Sequence, residues 1–219
     1  MVTHAGVTLS RFRAAKAMKQ LNLISKQPPK IQNKSKGKVH YLADNILNRA
    51  FNVDGINKVW CTDVTYLWTS EGWCYLAVVL DLYARKPVGW AISKHPDTAL
   101  TIKALEMAYV SRGRPKNVLL HSDQGCHFTS KGYRNQLKRY GMIHSMSRKG
   151  NCWDNAPMER FFRSLKSEWM PQDGWKNQLK AKHEVNRYII KYYNRYRPHQ
   201  HNKGLTPNEK ENALKSIKM

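Results

Sequence analysis

The chain has 219 residues and a formal charge of +23, with 38 lysines and arginines against 15 aspartates and glutamates. That length suits one substantial core with appendages, and no run of about 18 apolar residues is present to cross a bilayer. The opening stretch MVTHAGVTLSRFRAAK lacks the apolar segment of a secretory signal, and the four cysteines show no C-x-x-C spacing, which argues against a disulfide framework or zinc ribbon and for buried free thiols in a cytoplasmic protein. The charge is uneven: 11 basic against 2 acidic residues over 1–58, 7 against 6 over 59–123, and 20 against 7 over 124–219. Basic flanks interleaved with aromatics and amides favour a polyphosphate partner, nucleic acid first of all, over a membrane surface; a merely solvated basic face is the plainer alternative.

Along the chain, LSRFRAAKAMKQLNLI (9–24) places Phe12, Ala15, Met18 and Leu21 near one helical face. SKQPPKIQNKSKGK (25–38), with two prolines, a glycine and five lysines, predicts a basic linker. Three strand-like runs follow over 59–68, 73–83 and 88–93, with turns short enough for an antiparallel meander. A helix is expected over 97–112, a short strand over 117–123, a helix over 129–140 and a strand over 143–147. After the polar loop RKGNCWDNA come a helix over 156–169 and a last amphipathic helix over 178–194. A meander followed by alternating helices and strands implies an α/β fold with a mixed five-stranded sheet flanked by helices, the ribonuclease H-like order. The expected divisions are a helical N-terminal segment (1–24), a basic linker (25–57), a catalytic core (58–172) and a helical, basic C-terminal extension (173–219).

Asp63 stands in the middle of VWCTDVTYLW, where a strand should tolerate a carboxylate only if it is paired, exposed or metal-bound. Asp123 falls at the end of the fourth strand and Glu159 in the first turn of a helix. If the first and fourth strands are neighbours, the three converge at the strand ends, where cations between them would be needed and hard oxygen ligands suit Mg²⁺ or Mn²⁺. Each has a plainer reading: Asp63 on an exposed sheet face, Asp123 capping the loop SDQG, Glu159 paired with Arg163. Asp81 and Asp154 are the competing acids, with Asp154 or Asn155 well placed as a helix cap before Pro157. Met158, Phe161, Phe162, Leu165 and Trp169 form a buried stripe at helical spacing, with Glu159, Arg163 and Lys166 along its edge.

WCTDVTY, HSDQGCHF, SMSRKGNCWDNAPMERFFRSLKSE and YNRYRPHQHNKGLTP, with 35 residues between Asp123 and Glu159, resemble the integrase-type core of bacterial insertion-sequence transposases of the second-reading-frame kind, over about 55–210. The resemblance implies a DDE recombinase in which Asp63, Asp123 and Glu159 bind two divalent ions, Mg²⁺ or Mn²⁺, for end cleavage and strand transfer on double-stranded DNA. It further implies a flexible loop from Ser147 to Asn155 whose Arg148 and Lys149 contact DNA, while the spacing of Arg163 and Lys166 after Glu159 on one helix edge suits phosphate contacts, an ordinary charged helix face being the plainer alternative. A homo-oligomer on DNA and the first-reading-frame product are the implied partners, with no membrane. The N-terminal helix resembles the end of the family's helix-turn-helix. The alternatives are an inactive DNA-binding relative acting as a regulator and, less consistent with the basic flanks, a nuclease on RNA–DNA hybrids. Cys126, His127 and His121 stand close enough in sequence for a soft-metal site, although a packed thiol with two loop histidines is the better reading.

Overall fold

In the computed structural model, residues 10–23 and 41–217 are described. They belong to two compact units, divided between Gly37 and Lys38; the expected linker 25–38 lies outside the described residues. The first unit contributes helix α1 (Arg11–Gln20), capped where the Ser10 hydroxyl accepts the Arg13 amide at 3.3 Å. Its expected apolar face is open, with Phe12 80 % and Leu21 68 % exposed.

The second unit is built on strands β1 (Val59–Thr69), β2 (Gly72–Asp81), β3 (Lys86–Ser93), β4 (Leu119–Ser122) and β5 (Ile143–Met146), in the spatial order β3-β2-β1-β4-β5. β1, β2 and β3 pair antiparallel, while β4 and β5 run parallel to β1. Valine, tryptophan, tyrosine and leucine dominate β1 and β2, residues that suit a pleated, half-buried surface. The helices are α2 (Thr98–Ser111), the single turn α3 (Cys126–Thr129), α4 (Lys131–Tyr140), α5 (Ala156–Glu168), α6 (Gln178–Asn186) and α7 (Pro207–Ile217). Asp97 caps α2 by accepting the Leu100 amide, Ser130 caps α4, and Gly141, at φ 65°, ends α4 in the left-handed conformation that glycine tolerates.

The sheet has a core on each face. One holds Cys61, Leu67, Leu76, Val78 and Leu80 against Met158, Phe161, Phe162 and Leu165 of α5 and Val185, Tyr188 and Ile189 beyond it. The other holds Trp60, Val79 and Leu120 against Leu105 of α2 and Tyr133 and Leu137 of α4. The α5 stripe is therefore buried as the spacing predicts, with Trp169 only half-buried at its end. Residues 41–57 carry no helix or strand, yet Leu47 enters the first core and its amide donates to the Ser145 hydroxyl at 3.1 Å, while the Met146 amide donates to the Asp44 carbonyl. This segment covers the outer edge of β5, a row of backbone groups that would otherwise be unpaired.

Three expectations need correction. The helix over 178–194 is not one α-helix: α6 stops at Asn186 and a π-helical stretch, Arg187–Tyr193, follows, in which Tyr192 stacks on Trp169 and Tyr188 packs tilted against both rings. Neither Asp154 nor Asn155 caps α5 through its side chain. The thiols divide evenly, Cys61 and Cys74 buried but Cys126 and Cys152 exposed. Among the described residues no helix is long and apolar enough to cross a membrane.

Candidate active site

β1 and β4 are paired in parallel only over Val59–Leu119, Trp60–Leu120 and Cys61–His121. Two residues past the last pair on each strand come Asp63, still within β1, and Asp123, one residue beyond the end of β4. Side chains alternate along a strand, so Asp63 shares the face of Cys61 and Leu67, the face that α5 covers. Asn155, at the start of α5, ties the helix to this point by donating from its side-chain amide to the Thr62 carbonyl at 3.3 Å. Glu159 lies one turn further along, exposed, in the first turn of α5.

The electrostatics agree with this convergence. The Asp63 carboxyl is pushed up to about 8, first by burial, then by the negative charge of Asp123, and more weakly by that of Glu159; the amide of Val64, donating to Asp63 Oδ1 at 2.7 Å, and the ammonium of Lys166 oppose the rise. Asp123 Oδ1 accepts the Gly125 amide at 2.9 Å, so the capping role open to it from sequence is real and fixes its orientation. Glu159 forms no ion pair with Arg163 among the described residues.

Two family models, each described as an integrase core domain, match residues 54–152 and 140–207. Transposase InsF for insertion sequence IS3A of Escherichia coli (strain K12) is 43 % identical over 171 residues, covering 78 % of this chain and 59 % of its own length. A 31 kDa uncharacterized protein of insertion element IS600 from Shigella sonnei is 37 % identical over 203 residues, 92 % of this chain and 75 % of its own length. The chain belongs to the insertion-sequence transposases with an integrase core. It spans 59 % of the length of the InsF relative. The HTLV-2 integrase catalytic core, solved in complex with magnesium, superposes with a TM-score of 0.52 at 18 % identity, covering 71 % of this chain and 97 % of that one, and shares the ribonuclease H-like fold.

The other acids singled out by sequence are accounted for by this transposase fold itself. Asp81 ends β2, fully buried, where it accepts the amides of Asn57 and Tyr83 and pairs with Arg112 at 3.2 Å; Arg112 also reaches Glu211, which binds Lys86 at 2.7 Å. Asp154 is fully covered, clamped by both arms of Arg148 at 2.9 Å, by Arg49 at 2.7 Å and by Asn45. These contacts hold its carboxyl well below the usual range, with the Arg148 hydrogen bonds the main cause. Of the four basic residues expected at DNA, Arg148 thus has a structural partner and closes its loop. Lys149 and Arg163 are exposed. Lys166 is half-buried, 4.1 Å above the ring of Tyr66, and close enough to Asp63 to favour its charged form.

Sequence reading missed His127 as a neighbour of the site. A side chain placed on Gly125 would meet both Asp123 Oδ1 and the His127 ring at 2.9 Å, so the imidazole lies across that glycine from the aspartate, its Nε2 buried without a partner. The short interval from Asp123 on a helical turn was the available signal. The soft-metal trio does not form: His121 is buried between the hydroxyls of Ser145 and Ser147, at 2.9 and 3.1 Å, while Cys126 is exposed.

Among the described residues no group of three histidine, cysteine, aspartate or glutamate side chains is drawn together closely enough to hold a metal ion. Carboxylate oxygens are the donor chemistry of Mg²⁺ and Mn²⁺, which keep several waters and take only one or two protein carboxylates. A cation beside Asp63 would offset the part of its raised proton affinity that comes from the charges of Asp123 and Glu159, burial being the larger cause.

Proposed function

We propose that the chain is the catalytic part of a DNA transposase that cuts the ends of an insertion element and joins them to target DNA, with Asp63, Asp123 and Glu159 as its catalytic, metal-holding residues. The observation that supports the reading is the raised Asp63 carboxyl, on which, after burial, the charge of Asp123 and more weakly that of Glu159 act. Two divalent ions bound there would activate the attacking oxygen and stabilise the leaving oxygen in an in-line displacement at a phosphodiester.

The protein's own residues supply the positioning. Asp63 is held by a strand and Asp123 by the Gly125 amide, so neither has to be ordered when substrate arrives. Lys166, beside Asp63 at the mouth of the site, neutralises part of the phosphate charge, and Lys149 and Arg163 lie exposed where the DNA backbone can reach them. Arg148 holds the loop that carries Lys149 through its clamp on Asp154. The nucleophile is water in end cleavage and a DNA 3′-hydroxyl in strand transfer, with no covalent protein–DNA intermediate. Joining two element ends calls for more than one copy on DNA, with the first-reading-frame product as a further partner in the cytoplasm. The kinship to a protein named as a transposase supports the reaction class.

The test is strand joining with labelled element ends and Mg²⁺ or Mn²⁺. Wild type is expected to yield joined strands, and Glu159→Gln to bind DNA with joining reduced at least about 100-fold, the scale of losing a group that stabilises developing charge. Equal joining by both proteins would remove Glu159 from the chemistry.

A further inference from the structure

A second feature of α5 lies away from the carboxylates. Ala156, Pro157, Arg160 and Ser164 line a cavity of about 450 Å³ whose other walls include Phe51, Arg85, Arg197, His199 and His201. Arg160 follows Glu159 in sequence but projects roughly 100° around the helix from it, so the cavity and the acidic site occupy different flanks of α5.

The cavity is cationic and its donors are not all used. Arg85, in the left-handed conformation at φ 55° between β2 and β3, is steadied by Nη2 donating to the Phe51 carbonyl at 3.0 Å and facing His201 Nδ1 at 3.4 Å; its Nη1 is buried with no partner. His199 is only 7 % exposed, packs edge-on against Tyr193, and its Nε2 is likewise buried and unpartnered. Arg197 is neutralised by Glu168 through bonds of 2.6–3.0 Å, but no carboxylate lines the cavity and neither Arg85 nor Arg160 has an ion-pair partner among the described residues. Burial lowers the Arg85 pKa, the cost that a bound anion would offset. The buried Arg85 Nη1, a donor left without a partner in a cationic hollow, calls for an acceptor from outside the chain.

We infer that this cavity is a binding site for a phosphoryl group, seated on Arg85 and Arg160, with room beside it for the sugar and base of one nucleotide against Phe51. A volume of about 450 Å³ is well beyond what a lone phosphate fills and falls in the ordinary range of small-ligand sites. The phosphoryl group comes either from a DNA strand or from a free nucleotide, and the site does not depend on the acidic cluster being catalytic.

The test measures, at constant ionic strength, binding of inorganic phosphate, deoxyadenosine monophosphate and a short labelled single strand to the full chain and to Arg160→Gln, Arg85→Gln and Lys103→Gln. Arg160 is exposed, so its variant should keep the fold; circular dichroism and melting temperature establish this for Arg85→Gln. We expect Arg160→Gln to weaken at least one of the three ligands about tenfold, with the distant Lys103→Gln unchanged. Loss confined to the strand identifies DNA backbone as the source, and loss shared by the monophosphate identifies a free nucleotide. Wild-type affinity of Arg160→Gln for all three, or an equal loss in Lys103→Gln, overturns the assignment.

Discussion

At the scale of single residues, Asp63 holds its proton up to about pH 8 against an ordinary value of 3.8. The unfolded chain ionises first as pH rises through that window, so the ion-free fold loses stability between about pH 4 and 8. A divalent cation competes with that proton. Mn²⁺ is therefore expected to raise the melting temperature more at pH 8 than at pH 6 in differential scanning fluorimetry, and Asp63→Asn is expected to abolish most of the effect. Asp154 makes the opposite case: its carboxylate is depressed, so its contribution is present above about pH 4 and is lost below it. Because its partners Arg49 and Arg148 are 43 % and 52 % exposed, Asp154→Asn should cost only about 1–3 kcal/mol in urea denaturation. Asp63, Asp123 and Glu159 stand out as candidates in the sequence because a charge inside a strand and an acid in the first turn of a helix leave a local trace. The Asp154 clamp was not, since Arg49 joins it across 105 residues.

At the scale of elements, sequence spacing located the strands to within a residue or two, and the buried α5 stripe matched because period 3.6 along a single helix needs no knowledge of its neighbours. The π-helical stretch escaped because its ring contacts, Tyr192 stacked and Tyr188 tilted against Trp169, join residues some twenty positions apart and leave no local period. Helix α7 escaped despite a visible signal: Thr206, Pro207 and Glu209 form a capping box, with the Thr206 amide donating to Glu209 at 2.8 Å and the Glu209 amide donating to the Thr206 hydroxyl at 3.3 Å. Packing of α2 on β3 yields a sharp test. A methyl group on Gly89 would collide with the backbone of Ala104 and Ala108, atoms that cannot swing aside. Gly89→Ala should cost about 1–3 kcal/mol or more, read as a lower urea midpoint with an unchanged slope.

For the whole molecule, acid sensitivity is the collective property to measure. His121, His144 and His199 are held down to about 4 by burial, from an ordinary 6.5. The unfolded chain takes up these protons first as pH falls, so all three erode stability between about 6.5 and 4, while Asp63 adds stability over the same range. A tenfold difference in proton affinity between folded and unfolded chain is worth about 1.4 kcal/mol for every one of these groups, so three histidines outweigh one aspartate. The urea midpoint should be lower at pH 5 than at pH 7, and the drop should be larger in Asp63→Asn, which lacks the compensating carboxyl. Charge distribution, readable from composition, pointed to a polyanion, but the cavity beside α5 draws residues from 51 to 201 and has no local signature. The uneven exposure of the thiols carries a practical consequence. A maleimide dye should enter Cys126 and Cys152 in the native chain and reach Cys61 and Cys74 only after denaturation. Fluorophores there, one three residues from Asp123 and the other in the turn leading into α5, would report a ligand arriving near either through their emission, leaving every acidic residue untouched.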